Sequence, residues 1–150
     1  APFFQDFYLV PDEINTQHIF LRWKEKGSDQ LFTAHNLSDG TLRMICLTTL
    51  LMQPHLPGTI IIDEPELGLH PFAIQKLAAM LKSASDKSQI IVSTQSVNLV
   101  DQFTADDIIV VERSDNQTVF KRQSEETLAE WIEEYSLGEL WSKNVLGGTP

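Results

Sequence analysis

Two neighbouring carboxylates, Asp63 and Glu64, directly follow a short apolar stretch in the segment TIIIDEPELGLHP, which spans residues 59–71. Mg²⁺ prefers one or two carboxylates together with water and phosphate oxygens, so Asp63 is predicted to hold a magnesium ion through its water shell. Glu64 lies one residue further out and is predicted to accept a proton from an attacking water, as a positioned general base does. Pro65 restricts the residue before it to extended geometry, which is expected to aim Glu64.

Polar residues also end the apolar run QIIVST, about thirty residues further along the chain. The hydroxyl and amide groups of STQS, residues 93–96, suit the same kind of magnesium and phosphate site. A lone acid after a strand is usually an ordinary turn residue. Two adjacent acids, a following proline and a second polar strand end together favour a functional site.

A third segment, NLSDGTLR at residues 36–43, has the features of a phosphate-binding helix start. Ser38 is well placed to cap the helix that follows, and Gly40 allows the backbone to approach a ligand closely. Free N–H groups at a helix start attract phosphate. An ordinary capped helix after a turn is the alternative, but the position some twenty residues before Asp63 favours a phosphate site.

The hydrophobic pattern assigns these segments to the elements of an α/β fold. The predicted elements, in chain order, are a hairpin (17–24 and 30–36), a helix (39–53), a strand (59–62), a helix (71–85), a strand (89–94), a short helix (97–103), an antiparallel strand pair (107–113 and 118–123) and two closing helices (125–135 and 137–143). This order predicts a mostly parallel sheet flanked by helices, with right-handed crossovers and ligands at the carboxyl ends of the strands. The wholly apolar first central strand predicts helices on both faces of the sheet.

Composition indicates a single domain over residues 1–150 with one hydrophobic core. Acids outnumber bases 21 to 11, and with a formal net charge of −10 the chain is not expected to coat DNA unaided. The single cysteine, Cys46, is expected to be a small core residue in a reducing compartment. Phe72 is expected on the apolar stripe of its helix, and the tail at 146–150 is expected to be loose. No apolar run approaches the roughly 18 residues of a membrane span, so the sequence predicts a soluble cytoplasmic protein.

Taken together, these segments resemble the ABC-type ATPases of the SMC/RecF-like group, and most closely their small bacterial relatives. LSDGT resembles the signature loop, TIIIDEP the Walker B strand, ELGLHP the D-loop and IIVSTQS the switch strand. Their order and spacing match over residues 36–112, and LGELWSKNVLGG matches more weakly. The resemblance implies a P-loop NTPase fold and a hydrolase that uses ATP and Mg²⁺.

In that family two ATPase heads sandwich two ATP molecules, so the resemblance implies a nucleotide-driven dimer, expected to be a homodimer. It gives the two strand-end carboxylates the roles predicted above. Ser38, Asp39 and Gly40 would contact the γ-phosphate held by the other head, although Asp39 brings a negative charge where the broader superfamily prefers glycine. Gly68 would lie along the seam between the heads.

Two departures from the family pattern matter. No glycine is followed by lysine, so the sequence lacks the G-x-x-x-x-G-K-[ST] loop (Walker A) that cradles phosphate. The family carries that loop in an amino-terminal lobe, so the chain is predicted to be the carboxy-terminal half of a head. It is expected to be inactive alone and to be completed by a lobe in the same or a separate chain. Gln95 takes the place of the switch histidine; it can hydrogen-bond a phosphate oxygen but carries no positive charge, so weaker or differently gated hydrolysis is expected.

A non-catalytic module for dimerisation or nucleotide sensing is the competing hypothesis, favoured by Gln95 and disfavoured by the intact carboxylate pair. A metal-dependent nuclease would need acids from another strand end, whereas Asp106 and Asp107 precede their strand and are predicted to form a solvated turn. His70 is interpreted as a helix cap or seam residue rather than a metal ligand. The family acts in DNA repair, chromosome upkeep or phage defence, which makes DNA a partner of a full assembly. No membrane partner is expected.

Overall fold

Strands and helices alternate along a mixed α/β chain, for which the computed structural model describes residues 3–148. The elements are β1 (Phe4–Pro11), β2 (Ile19–Glu25), β3 (Leu31–Thr33), α1 (Asp39–Leu51), β4 (Thr59–Asp63), α2 (Pro71–Ser85), β5 (Gln89–Ser93), α3 (Val97–Val100), β6 (Ile109–Ser114), β7 (Gln117–Arg122), α4 (Glu125–Ile132) and α5 (Leu137–Ser142). Short 3₁₀ turns precede α1 and β6. The predicted α/β class and the hairpin near the N-terminus are confirmed.

An antiparallel sheet of three strands, in the order β1-β2-β3, forms the N-terminal part of the described chain. Its centre is the buried indole of Trp23, which stacks on Phe32 with ring centroids 4.9 Å apart. The indole Nε1 donates to the carbonyl of Thr33 at 3.1 Å, so the polar end of the side chain is also satisfied. Strand β1 was not predicted, because a register shift between Phe4 and Asp6 interrupts its alternation.

A parallel pair, β4 and β5, carries the central segments, and α1 and α2 pack against it. Ser38 and His70 cap these two helices, each through a side chain that accepts a backbone N–H of the first turn, as predicted. Pro71 begins α2 because its missing N–H has no partner to lose there. The shared core consists of Leu47, Leu51, Ile60, Leu77, Leu81 and Ala84.

The other face of this pair is open in the described chain, which makes the prediction of two covered faces wrong. Both helices pack on the side of Ile60, so Ile61 is 74% exposed and Ile91, paired with it in register, is 47% exposed. Within residues 3–148, β6 pairs with β7 alone and does not extend the sheet beside β5. Parallel pairing in that range is therefore confined to β4 and β5.

A second core unites the C-terminal elements with α3. Its buried members are Val100, Ala105, Val110, Leu128, Leu137, Leu140 and Leu146. The expectation of a loose tail is wrong for residues 146–148, because Leu146 is buried and the N–H of Gly148 donates to Glu112 Oε1 at 2.7 Å. The indole of Trp141 donates to the carbonyl of Gly148 at 3.2 Å. Residues 149–150, the end of that predicted tail, lie outside the described chain.

Two side chains expected in the core lie at the surface. Cys46 is exposed, because α1 turns Leu47 and Leu51 into the core and leaves the neighbouring position outside. Phe72 is 63% exposed in the first turn of α2, where the ammonium of Lys76 lies 5.3 Å from its ring centroid. In the part of the chain that is described, no helix has the length and apolar character needed to cross a membrane.

Candidate functional site

The carboxyl ends of β4 and β5 are joined side by side. Asp63 and Ser93 are register partners, and the Ser93 hydroxyl donates to Asp63 Oδ1. The N–H of Glu64 donates to the carbonyl of Ser93 at 2.9 Å, which continues the ladder one residue past the strands. Parallel pairing therefore holds the Asp63 carboxylate against the Ser93 hydroxyl and places Glu64 directly beyond the end of the sheet.

A cleft of about 1360 Å³ opens beside these strand ends, between β5 and β6. Asp63, Glu64 and Gln95 all line it, so the structure brings together the three residues predicted for metal binding and catalysis. Exposed apolar side chains also line it, namely Ile61, Ile91, Ile109, Val111 and Phe120, together with charged side chains that include Asp106, Asp107 and Glu112. A smaller pocket of about 190 Å³ lies between α2 and α3 and contains none of those three residues. The residues predicted for the chemistry therefore lie at the larger cleft.

Glu64 has a backbone φ of 40°, so the expectation of extended geometry before Pro65 is wrong. Three hydrogen bonds impose this conformation. The Glu64 N–H donates to Ser93, while its carbonyl accepts from Arg43 Nη1 at 2.9 Å and from the N–H of Leu67 at 3.3 Å. A positive φ at a residue with a side chain costs on the order of 1–3 kcal/mol and is concentrated at functional positions. The backbone strain at Glu64 is therefore an indication of function that does not depend on the chemistry of its side chain.

The carboxylate of Asp63 fits a magnesium ion better than a metal that needs a full protein cage. Its side chain is exposed to the cleft and already has a hydroxyl beside one oxygen. Residues 3–148 contain no group of three or more His, Cys, Asp or Glu side chains that could hold a metal. One carboxylate supplemented by water and phosphate oxygens is the arrangement that Mg²⁺ accepts.

The remaining predicted ligands form a second group at the start of α1. The Ser38 hydroxyl accepts the N–H of Thr41 at 3.2 Å, and Asp39 is exposed in the first turn. Gly40 lies against Gly68, since a Cβ built on Gly40 would be 2.3 Å from the Gly68 carbonyl oxygen. The close approach that Gly40 allows is thus to the chain's own loop, and Gly68 has a φ of 77° there. None of the four predicted ligands in this group lines the cleft in the described chain.

Sequence reasoning missed the contacts by which three residues hold the site together. Arg43 fixes the carbonyl of Glu64, as described above. Glu66 is only 8% exposed, and its Oε1 accepts the hydroxyl of Thr94. The sequence does place Glu66 two residues beyond Glu64 and Thr94 at the end of a strand. These positions do not predict that the two side chains form a hydrogen bond.

Residues that the sequence analysis set aside have structural partners. The hydroxyl and N–H of Thr104 both donate to Asp107 Oδ2, and Asp106 Oδ1 accepts the N–H of Glu125. Both acids therefore serve a turn, as predicted. His70 Nδ1 accepts the N–H of Phe72 at 3.2 Å, which is the predicted cap.

Comparison with known proteins places this geometry in a family. A family model described as "AAA domain, putative AbiEii toxin, Type IV TA system" matches residues 3–101. The Old nuclease of Escherichia phage P2 is 38% identical over 76 residues, which are 50% of this chain and 12% of that protein. The chain thus spans about an eighth of that relative.

Solved ATPase heads share the fold. A chain described as "Structural biochemistry of ATP-driven dimerization and DNA stimulated activation of SMC ATPases" gives a TM-score of 0.65 at 21% identity, covering 89% of this chain and 82% of that one. The Smc head domain of Pyrococcus furiosus, bound to the C-terminal domain of ScpA, gives 0.61 at 20% identity, covering 86% and 33% respectively. The family model covers more than half of the sequence, including both strand-end carboxylates. This chain therefore belongs to that family of ATPase-type, nucleotide-binding domains, with the P-loop NTPase fold of SMC heads.

Proposed function

We propose that this chain supplies the catalytic carboxylates of an ATP-hydrolysing head. The observation that carries the proposal is the convergence of Asp63, Glu64 and Gln95 on one cleft at the carboxyl ends of β4 and β5. Ligands of open α/β sheets bind at that edge. The family of ATPase-type domains supplies the substrate class, a nucleoside triphosphate with Mg²⁺.

Each of the three residues has a distinct role in this proposal. Asp63 holds the magnesium ion through water, and the ion neutralises phosphate charge when it is bound. The Glu64 carboxylate accepts a proton from the water whose oxygen bonds to the γ-phosphorus, while the bond from that phosphorus to the bridging oxygen breaks. The Gln95 amide donates to a γ-phosphate oxygen and orients it, without adding charge.

A second component is needed because the sequence has no phosphate-cradling loop. We infer the location of this component from the cleft between β5 and β6. Each of these strands has one hydrogen-bonded neighbour in the described chain, which leaves the edges that face the cleft unpaired. The apolar side chains along it, including Ile91 and Val111, are the surface that a further strand would cover. We therefore place a strand of the phosphate-loop lobe there.

The group at the start of α1 supports a dimer. Ser38, Asp39, Gly40 and Gly68 are not among the residues that line the cleft containing Glu64. In the proposal they contact the nucleotide of a second head. Each site then draws groups from two copies, and hydrolysis requires dimerisation.

The first test measures Mg²⁺-dependent ATP hydrolysis by the chain alone and with the phosphate-loop lobe supplied. Little or no turnover is expected from the chain alone, whereas turnover is expected when the lobe is present. Hydrogen exchange of the β5 and β6 amides should slow on addition of the lobe, because their free edges become paired. An active isolated chain, or unchanged exchange in an active mixture, would contradict the proposed location of the lobe.

Replacing Ser38 with arginine is expected to prevent nucleotide-driven dimers. The long cation would lie in the seam, and loss of the cap would cost about 1 kcal/mol of stability. Ser124→Arg is the matched control, since Ser124 caps α4 through Thr127 in the same way but lies on another element. Size-exclusion chromatography with light scattering in ATP should show monomers for Ser38→Arg and dimers for Ser124→Arg. Dimers of equal strength in both variants would refute the seam.

A non-catalytic nucleotide-sensing module is the second candidate, and Gln95 favours it, because a neutral amide replaces an ionisable imidazole at the switch position. The same assays separate the two candidates. ATP-dependent dimers without turnover above the uncatalysed rate, in the presence of the lobe, would favour the sensing module. We also propose that the protein acts in phage defence or DNA repair.

A further inference from the structure

The buried carboxylate of Glu66 connects two loops that carry the site. Glu66 lies in the loop after β4, three residues beyond Asp63, and its Oε1 accepts the hydroxyl of Thr94 from the loop after β5. Thr94 immediately precedes Gln95. The contact therefore ties the segment of the two catalytic carboxylates to the segment of the switch residue.

The location of Glu66 is costly for stability alone. Its side chain is 8% exposed, and Oε2 is buried without a hydrogen-bond partner in the described chain. A buried carboxylate that is only partly hydrogen-bonded is unfavourable compared with an apolar side chain of similar size. The neighbouring Pro65 is fully buried as well. Packing does not explain an acid there, whereas a positioning role does.

On one side, the contact organises the loop that contains Gln95. The Thr94 hydroxyl oxygen, while donating to Glu66, also accepts the N–H of Ser96 at 3.0 Å. Gln95 lies between these two anchored residues and is itself exposed. These two bonds hold the backbone on either side of Gln95, which lines the cleft.

On the other side, Glu66 belongs to the loop that packs on α1. Its carbonyl accepts the N–H of Leu69 at 2.9 Å, which closes a turn around Gly68. Gly68 in turn contacts Gly40 at the start of α1. A continuous path of contacts thus runs from the proposed seam, through the turn and Glu66, to Thr94.

We propose that Glu66 is a positioning residue that, by holding Thr94, sets the place of Gln95 relative to Asp63 and Glu64. This inference rests on the proposed ATPase function.

The activity test uses the protein together with its phosphate-loop lobe and four variants. Glu66→Leu and Thr94→Val remove the hydrogen bond at similar volume, and each is expected to lower kcat by up to about 10²-fold with KM for ATP little changed. Glu66→Gln retains an acceptor and Thr94→Ser retains the hydroxyl, so both should stay near the wild-type kcat. The double variant Glu66→Leu with Thr94→Val should be no slower than Thr94→Val alone, because Thr94→Val already removes the bond to Glu66 together with the bond from Ser96.

Hydrogen exchange supplies a readout that needs no turnover. In the nucleotide-free protein the Ser96 amide should exchange faster in Glu66→Leu and Thr94→Val than in Glu66→Gln and Thr94→Ser. If Glu66→Leu does not fold, the Thr94 pair carries the comparison. Unchanged exchange and unchanged kcat in Thr94→Val would overturn the inference. If Glu66→Leu and Thr94→Val exchange faster as expected but the wild-type protein shows no turnover, the positioning contact is supported and the proposed ATPase is overturned.

Discussion

Glu64→Gln is expected to abolish ATP hydrolysis while leaving ATP-bound dimers intact. Glutamine has nearly the same shape and keeps the backbone bonds of residue 64, but its amide cannot accept a proton from water. A positioned general base contributes about 10²- to 10⁴-fold to rate, and kcat should fall by that factor. Steady-state turnover and light scattering, both measured with the phosphate-loop lobe present, give the two readouts.

The matched control makes the same chemical change at an exposed acid. Glu130 is exposed on α4 and does not line the cleft, so Glu130→Gln should hydrolyse ATP at the wild-type rate. A Glu64→Gln protein that keeps more than about a tenth of wild-type kcat would refute the assignment of the base. Dimers that disappear with Glu64→Gln would instead indicate that the residue supports closure.

Gly40→Ala is expected to disrupt the contact between α1 and the loop after β4. The added Cβ would lie 2.3 Å from the carbonyl oxygen of Gly68 and 3.2 Å from its carbonyl carbon. These are backbone atoms that cannot move aside as a flexible side chain does, so either the helix or the loop must shift. Overpacking of this kind costs about 1–3 kcal/mol, whereas alanine in a helix gains at most about 1 kcal/mol over glycine.

Urea unfolding of the protein with its lobe, together with nucleotide-driven dimerisation, measures the effect of Gly40→Ala. Gly58→Ala is the control, because a Cβ there would meet no heavy atom within 4 Å. We expect the midpoint to fall for Gly40→Ala and to stay unchanged for Gly58→Ala, and only the first variant to lose dimers. Equal midpoints for the two variants would show that the loop yields without cost.

Local signals predicted the helices and the central strands well. Ser38, His70 and Pro71 each satisfy or remove an unpaired backbone group at a helix start, and this requirement depends only on neighbouring residues. The apolar runs that became β4 and β5 are equally local. Because parallel strands share an edge, their ends also predicted that Asp63 and Gln95 would lie along one cleft.

Other features depend on contacts that no local pattern encodes. The positive φ of Glu64 results from Ser93 and Arg43, which are distant in sequence, and these contacts override the preference set by Pro65. The contact between Glu66 and Thr94 joins residues 28 positions apart. Strand β1 forms because β2 offers it a partner, despite its interrupted alternation. Tertiary structure decides such features, so sequence reasoning could not find them.

The roles of the predicted site residues stay predictions, and the structure adds a second role for Gly40. From the sequence, Gly40 was expected to let the backbone approach a phosphate closely. Its neighbour in the structure is Gly68, so the small size of Gly40 also serves the packing of the chain on itself. A phosphate site at the same helix start remains compatible with that contact, because the cap at Ser38 leaves the helix start exposed.

The open cleft has a consequence for handling this chain outside its complex. Unpaired strand edges are templates for pairing with any other chain, and exposed isoleucines at positions 61 and 91 add a sticky apolar surface beside them. The same features that would receive a partner strand therefore promote aggregation when that strand is absent. We therefore expect the chain to aggregate more when it is produced alone than when it is produced together with the proposed phosphate-loop lobe.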